Sequence, residues 1–330
     1  MASRPPRRRL RLRLRLRLRL RRSLLAALVT ASVAVPVSGA ARPSAVPAPA
    51  PVALGPVNIA PRALAARYAA QRDGIRAAER AAAGHGDRRR AAVLSAMAGP
   101  DRRFLAFDGR DGGRAAEVFG DLSHADRIAV LVPGSDTGLD RYQRFRAGAQ
   151  ELRRQLGDGG AVVAWLGYRT PATPSAAALT AGSAESAAPA LRSFVAELAA
   201  AAPATRIAVL CHSYGSVVCA RAASGLKASD IVLYGSPGTG VNNVRDLRAR
   251  ATVWAGRGSG DWIADVPHVR LGLLITTVGF GTDPVSERFG ARRFNAGTCG
   301  HSGYLRAGSL SLRNIARIVS ATERAGERHA

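Results

Sequence analysis

Ile207-Ala208-Val209-Leu210-Cys211-His212-Ser213-Tyr214-Gly215-Ser216 is an apolar, strand-like run that meets a serine between small residues. Val217, Val218 and the alanine-rich stretch behind them read as a helix. A serine at such a junction has to occupy a tight, strained turn, which lifts its hydroxyl clear of the sheet. Small residues two positions either side let the strand and the helix approach each other. Gly215 fills the downstream position, and Cys211 fills the upstream one, where glycine is usual. The run has the form of a nucleophile elbow, with Ser213 as the candidate nucleophile.

Further short apolar runs, bounded by turn residues, lie on both sides of it: 104–107, 115–119, 128–132, 161–166, 231–234 and 252–255. From Ile128 onward helical patterns alternate with them, at 141–156, 187–201, 213–223 and 303–322. Alternating strand and helix predicts a mostly parallel sheet with helices on both faces. The first two runs are joined by residues 109–114 only, so an antiparallel hairpin at the sheet edge is expected. Residues 62–98 carry Leu64, Tyr68, Ile75, Ala78 and Ala82 at helical spacing, and Gly84-His85-Gly86 divides them into two helices. The fold class expected is α/β, with a domain over residues 99–325 preceded by the helical segment 62–98.

The chain has 330 residues, 47% of them hydrophobic, which is enough for a sizeable core. Its formal charge is +25; residues 1–22 hold eleven arginines and no acid, and without them +14 remains. Residues 1–40 have a basic start, an apolar stretch from Ser23 to Val35 and the small residues Ser38-Gly39-Ala40, the layout of a secretory signal peptide. Arg21-Arg22 partly matches a twin-arginine motif, so either export route is open, with an uncleaved anchor as the alternative. The apolar stretch is shorter than the ~20 residues of a membrane span. The expected location is secreted or cell-envelope, with no stable membrane span once the signal is cleaved. Residues 41–61 are rich in Pro and Ala and read as a linker. The basic remainder admits an anionic cell-envelope polymer as a partner. No zinc-type spacing, aromatic-basic stripe or helix-turn-helix pattern points to nucleic acid. Cys211, Cys219 and Cys299 are an odd number, and reduced, buried thiols are expected, with a Cys211–Cys299 bridge conceivable.

A serine hydroxyl is a weak nucleophile and needs a base, and the base needs an acid to hold its tautomer. On an elbow of this kind the chain order is Ser, then Asp or Glu, then His. His301, in the glycine-rich loop Gly297–Gly303, is preferred as base over His268. Asp261, just past the 252–255 run, is preferred as acid, ahead of Asp265 and Asp283. Two backbone amides aimed at the developing oxyanion complete such a site. Tyr214, next after the nucleophile, and Ser135, in Pro133-Gly134-Ser135-Asp136, are the candidates. This chemistry requires no metal and no cofactor.

Phe104-Leu105-Ala106-Phe107-Asp108, Val130-Leu131-Val132-Pro133-Gly134, His212-Ser213-Tyr214-Gly215-Ser216, Gly260-Asp261-Trp262-Ile263 and His301-Ser302-Gly303-Tyr304 resemble segments of the uncharacterised, exported α/β-hydrolases of actinobacteria. The resemblance spans about residues 100–310 and implies an α/β-hydrolase fold and a Ser213–Asp261–His301 triad. It implies no particular substrate, and Cys211 is its main departure. The activity expected is exported hydrolysis of a small or soluble ester, thioester or amide. An acyltransferase with the same triad and a non-catalytic basic envelope-binding protein are the alternatives. Segments 167–186 and 267–290 are expected beside the site, and neither has the long apolar helix of a lipase lid.

Overall fold

The apolar runs form strands because each is short, rich in Val, Ile, Leu and Ala, and bounded by turn residues. In the computed structural model, residues 46–173, 175, 180–266, 271–272, 277–278 and 280–321 are described. The signal-peptide reading, His268 and parts of the two flanking segments lie outside them. Two helices come first, α1 (Pro61–Gly84) and α2 (Arg88–Met97), separated at His85 and Gly86. Then follow β1 (Arg103–Asp108), β2 (Arg114–Phe119), β3 (Arg127–Val132), α3 (Tyr142–Leu156) and β4 (Gly160–Leu166). After these come α4 (Gly182–Ala201), β5 (Arg206–His212), α5 (Gly215–Ala222), β6 (Asp230–Tyr234) and β7 (Thr252–Gly256). A two-residue ribbon pairs β8 (Leu271–Gly272) with β9 (Thr277–Val278), and β10 (Arg292–Arg293) and α6 (Leu310–Ser320) close the chain.

The main sheet has eight strands in the order β1-β2-β4-β3-β5-β6-β7-β10. β1, β2 and β4 pair antiparallel, and every pairing from β4 through β3 to β10 is parallel. The chain thus forms the antiparallel edge hairpin expected of the first two runs, and an α/β-hydrolase fold.

Side chains alternate along a strand, so the inner strands of the sheet supply two cores. Ile128, Val130 and Val132 of β3 face Leu191 and Val195 of α4 and Val217 and Val218 of α5. Ala129 and Leu131 face the opposite layer, with Leu152 of α3 and Ile315 of α6. Ile75 and Ala78 of α1 and Leu94 of α2 share this second layer with Phe104 and Phe107 of β1.

Two details differ from the sequence reading. The last helix begins at Leu310 rather than near Gly303, because the Ser309 hydroxyl caps it by accepting from Leu312 N at 3.1 Å, and Gly308 has φ +72°. Arg292–Arg293, which is not among the apolar runs, adds an eighth strand beside β7. Among the described residues no helix is long and apolar enough to cross a membrane.

Candidate active site

Parallel strands end together, so the loops after β3, β5, β6 and β7 gather at one edge of the sheet, the usual place for a site in such folds. Ser213 follows β5 with φ +52°, a left-handed conformation that a residue with a side chain adopts only under constraint. Its amide is held by the Tyr234 carbonyl of β6 at 3.1 Å. The chain then turns straight into α5, pressed so close to β3 that a Cβ on Gly215 would lie 2.6 Å from the carbonyl oxygens of Val132 and Pro133. Glycine at 215 is therefore a requirement of the elbow. Gly134 comes as near from the other side, and a Cβ there would lie 2.7 Å from Ser213 Cβ.

His301 Nε2 lies 2.9 Å from Ser213 Oγ, and His301 Nδ1 lies 2.9 and 3.1 Å from the two carboxylate oxygens of Asp261. Asp261 is 2% exposed and sits just past β7. Its carboxylate also accepts from Ile263 N at 2.9 Å and from Tyr304 Oη at 2.6 Å. Burial is the strongest single influence and pushes the Asp261 pKa up; the bonds from His301, Tyr304 and Ile263 together outweigh it, so the carboxyl stays below its ordinary value. These partners assign Nδ1–H of His301 as donor to Asp261 and leave its Nε2 lone pair to accept from the serine hydroxyl.

The loop after β3 carries Ser135 directly after Gly134, which packs against Ser213. Asp136 N donates to the Pro171 carbonyl at 3.0 Å, Tyr168 Oη donates to the Pro133 carbonyl at 2.7 Å, and Thr170 Oγ1 donates to the Thr137 carbonyl at 2.7 Å. The segment after β4 thus braces the loop. Tyr214 Oη reaches the Thr180 carbonyl at 2.7 Å, which anchors its side chain away from the serine. The backbone amides of Ser135 and Tyr214 donate no hydrogen bond within the described residues.

Asp265 and Asp283, the other acid candidates, have different surroundings, and neither His85 nor His124 joins the cluster. Asp265 is exposed, and Asp283 pairs with Arg257 at 2.6 Å. His85 is exposed, and His124 is exposed beside Asp121. Among the described residues no group of three or more His, Cys, Asp or Glu side chains gathers as a metal site.

Two residues of the cluster escaped the sequence reading. His212 donates from Nε2 to the His301 carbonyl at 2.8 Å, its ring packed against Tyr234, His301 and Tyr304. Tyr304 accepts from Gly258 N at 3.0 Å while donating to Asp261, tying the acid loop to the histidine loop. The only signal for Tyr304 was its place three residues after His301.

The cysteines correct an expectation. Cys211 and Cys219 form a disulfide, and Cys299 is the free thiol, so the cysteines are not all reduced and the conceivable Cys211–Cys299 bridge is absent. The elbow folds α5 back along β5, which brings two cysteines eight residues apart to a Cα separation of 6.4 Å.

An α/β-hydrolase family model matches residues 108–271, a stretch that holds Ser135, Ser213 and Asp261 and ends before His301. An uncharacterized protein of Mycobacterium tuberculosis is 32% identical over 264 residues, a match taking in 66% of this chain and 38% of that protein's own length. An uncharacterized protein of Mycobacterium bovis is 36% identical over 148 residues, covering 40% of this chain and 55% of its own. The chain therefore spans well under two thirds of the curated relatives it matches. The solved structure of a Xanthomonas campestris α/β serine hydrolase without lid aligns over 68% of this chain and 98% of that one, at 18% identity and a TM-score of 0.43. The strand order, the serine elbow and the family match over residues 108–271 together show that this chain has the α/β-hydrolase fold, and its sequence is similar to uncharacterized mycobacterial proteins.

Proposed function

We propose that the chain is a serine hydrolase acting on a small or soluble carboxylic ester through an acyl-enzyme. The observation that carries this reading is the unbroken hydrogen-bonded relay Ser213–His301–Asp261 on an elbow serine at φ +52°. Ser213 Oγ attacks the carbonyl carbon while His301 Nε2 takes its proton. Asp261 holds the Nδ1–H tautomer and stabilises the imidazolium. The amides of Tyr214 and Ser135 receive the negative oxygen. The tetrahedral adduct collapses as His301 returns the proton to the departing alcohol, leaving the acyl group on Ser213. Water, activated by the same histidine, attacks the acyl-enzyme and releases the acid. Thioesters and activated amides are open to the same sequence.

Export belongs to the proposal as well. The Cys211–Cys219 bridge supports it, because structural disulfides persist in oxidising compartments.

A fluorophosphonate probe tests the enzymatic reading. The wild-type protein is expected to be labelled stoichiometrically, and Ser213→Ala not at all. Asp261→Asn is expected to slow labelling and ester hydrolysis by about three to four orders of magnitude, the scale of losing the correct histidine tautomer. A folded wild type that takes no label would remove the proposal.

A further inference from the structure

Among the described residues Trp262 is the most exposed large apolar side chain: 57% of its surface reaches solvent, against 37% for Val52 and Leu54. Its placement follows from its neighbours. Asp261 turns inward to His301 and caps a short turn, Trp262–Asp265, by accepting from Ile263 N. Ile263 is buried, which leaves Trp262 facing outward. Its ring centroid lies 4.8 Å from that of His301, at 48°. His212 packs the same imidazole at 4.8 Å and 43°. The histidine is thus held between a packed ring and an exposed one.

The direction of the chemistry says which half of a substrate meets the exposed ring. His301 Nε2 hands its proton to the departing oxygen, so the alcohol half of the ester lies against His301. The acyl carbonyl points to the amides of Tyr214 and Ser135. An indole with more than half its surface in water beside the leaving-group position offers a flat apolar wall. Polar groups stand on the same loops: exposed Arg144 donates to Ser302 Oγ, next after His301, at 3.4 Å, and Asp265 is exposed at the end of the Trp262 turn.

The geometry points to Trp262 as the wall of the alcohol subsite, and to esters whose alcohol is a saccharide, a ring with an apolar C–H face and a hydroxyl-bearing edge, as the substrate class. This rests on the serine-hydrolase reading above. The step is unchanged: the Ser213 Oγ–acyl bond forms, the ester C–O bond breaks, and the proton from His301 goes to the saccharide oxygen.

The test compares three butyryl esters, of ethanol, of benzyl alcohol and of the 6-hydroxyl of methyl glucoside, on wild type, Trp262→Ala and Trp262→Phe, with fluorophosphonate labelling run alongside. Wild type is expected to favour the glucoside ester over the ethyl ester by about tenfold in kcat/KM. Trp262→Ala is expected to lose most of that ratio, through KM, and Trp262→Phe to keep part of it. A benzyl ester preferred over the glucoside ester would overturn the saccharide assignment. An equal loss on all three esters would overturn the subsite and leave Trp262 only steadying His301. Labelling of wild type with a flat ester ratio defeats this inference alone, whereas no labelling defeats the hydrolase reading beneath it.

Discussion

His212 follows the strand and precedes the nucleophile, yet its ring turns to the back of His301 and serves the loop rather than the serine. Enclosure of the ring, with the nearby His301 adding to it, pulls its pKa from 6.5 down to about 4. The unfolded chain therefore binds a proton below pH 6.5 that the folded chain refuses until about pH 4. This contribution to stability is complete above pH 6.5 and is lost as pH falls to 4, by about 3 kcal/mol in all. His212→Asn keeps a donor for the His301 carbonyl and does not titrate. Urea midpoints at pH 7 and pH 4.5 are expected to differ clearly less in the variant than in wild type; equal differences would reject the assignment. Tyr304 works on the acid side of the same relay. Its hydroxyl is one of the groups that hold the Asp261 pKa low, so Tyr304→Phe raises that pKa. A carboxylate with a depressed folded pKa stabilises above its unfolded value and loses that contribution as pH falls through the folded one. In Tyr304→Phe the loss begins at a higher pH, and at pH 7 the variant is expected to be about 1–3 kcal/mol less stable, as measured by denaturant unfolding. A variant as stable as wild type at both pH values would show that the Tyr304 bond contributes nothing to the carboxylate. Asp261 and His301 themselves were legible from chain order and loop composition. His212 and Tyr304 were not, because a hydrogen bond to a distant backbone carbonyl leaves no local pattern.

The strand-to-helix element around Ser213 was readable because its constraint is local. Ile207–Leu210 alternates into two cores, and Gly215 must lack a side chain beside the Val132 and Pro133 carbonyls. The disulfide inside the same element was not readable. Whether a cysteine two residues before the serine meets one six residues after it depends on how tightly α5 returns along β5. Once closed, the bridge joins residues eight apart and limits the unfolded chain, which is worth about 2–3 kcal/mol for a loop of that size. Cys219→Ser is expected to lower stability by that amount in guanidinium unfolding, and a reductant is expected to destabilise wild type but not the variant. Identical behaviour of wild type with and without reductant, under conditions in which thiol titration confirms reduction, would reject the role. The eighth strand, Arg292–Arg293, was also missed: two arginines carry no strand pattern, and they pair only because β7 offers them a free parallel edge.

At the scale of the whole molecule, the helices that precede the sheet are joined to it by a buried charge cluster. Arg102, between α2 and β1, makes two bonds to Glu117 of β2 at 2.5 and 2.8 Å. Arg146 of α3 adds a third at 3.3 Å. Glu117 is 1% and Arg102 8% exposed. Glu117→Ala leaves Arg102 buried without its partner and is expected to cost about 3–5 kcal/mol, whereas Glu117→Leu with Arg102→Met is expected to recover most of it. Thermal unfolding of the single and double variants measures both, and a single variant as stable as the double would reject the account. Nothing in the local sequence marks Glu117 as buried, since acids are rarely so unless paired.

The sequence by itself determined the α/β class and the edge hairpin, and it offered Ser213, His301 and Asp261 as candidates, with Asp265 and Asp283 as the other acids. These follow from short-range rules: alternation along strands, glycine where backbones touch, and the fixed order of elements in a parallel sheet. Only the tertiary structure decided which acid faces His301, that Cys211 pairs with Cys219, that Tyr304 and His212 clamp the relay and that Trp262 stands exposed beside it. The cysteine pair, only eight residues apart, depends on how α5 returns along β5, and the others depend on the meeting of loops about 40 to 90 residues apart, a distance set by the packing of the sheet and not by the local pattern.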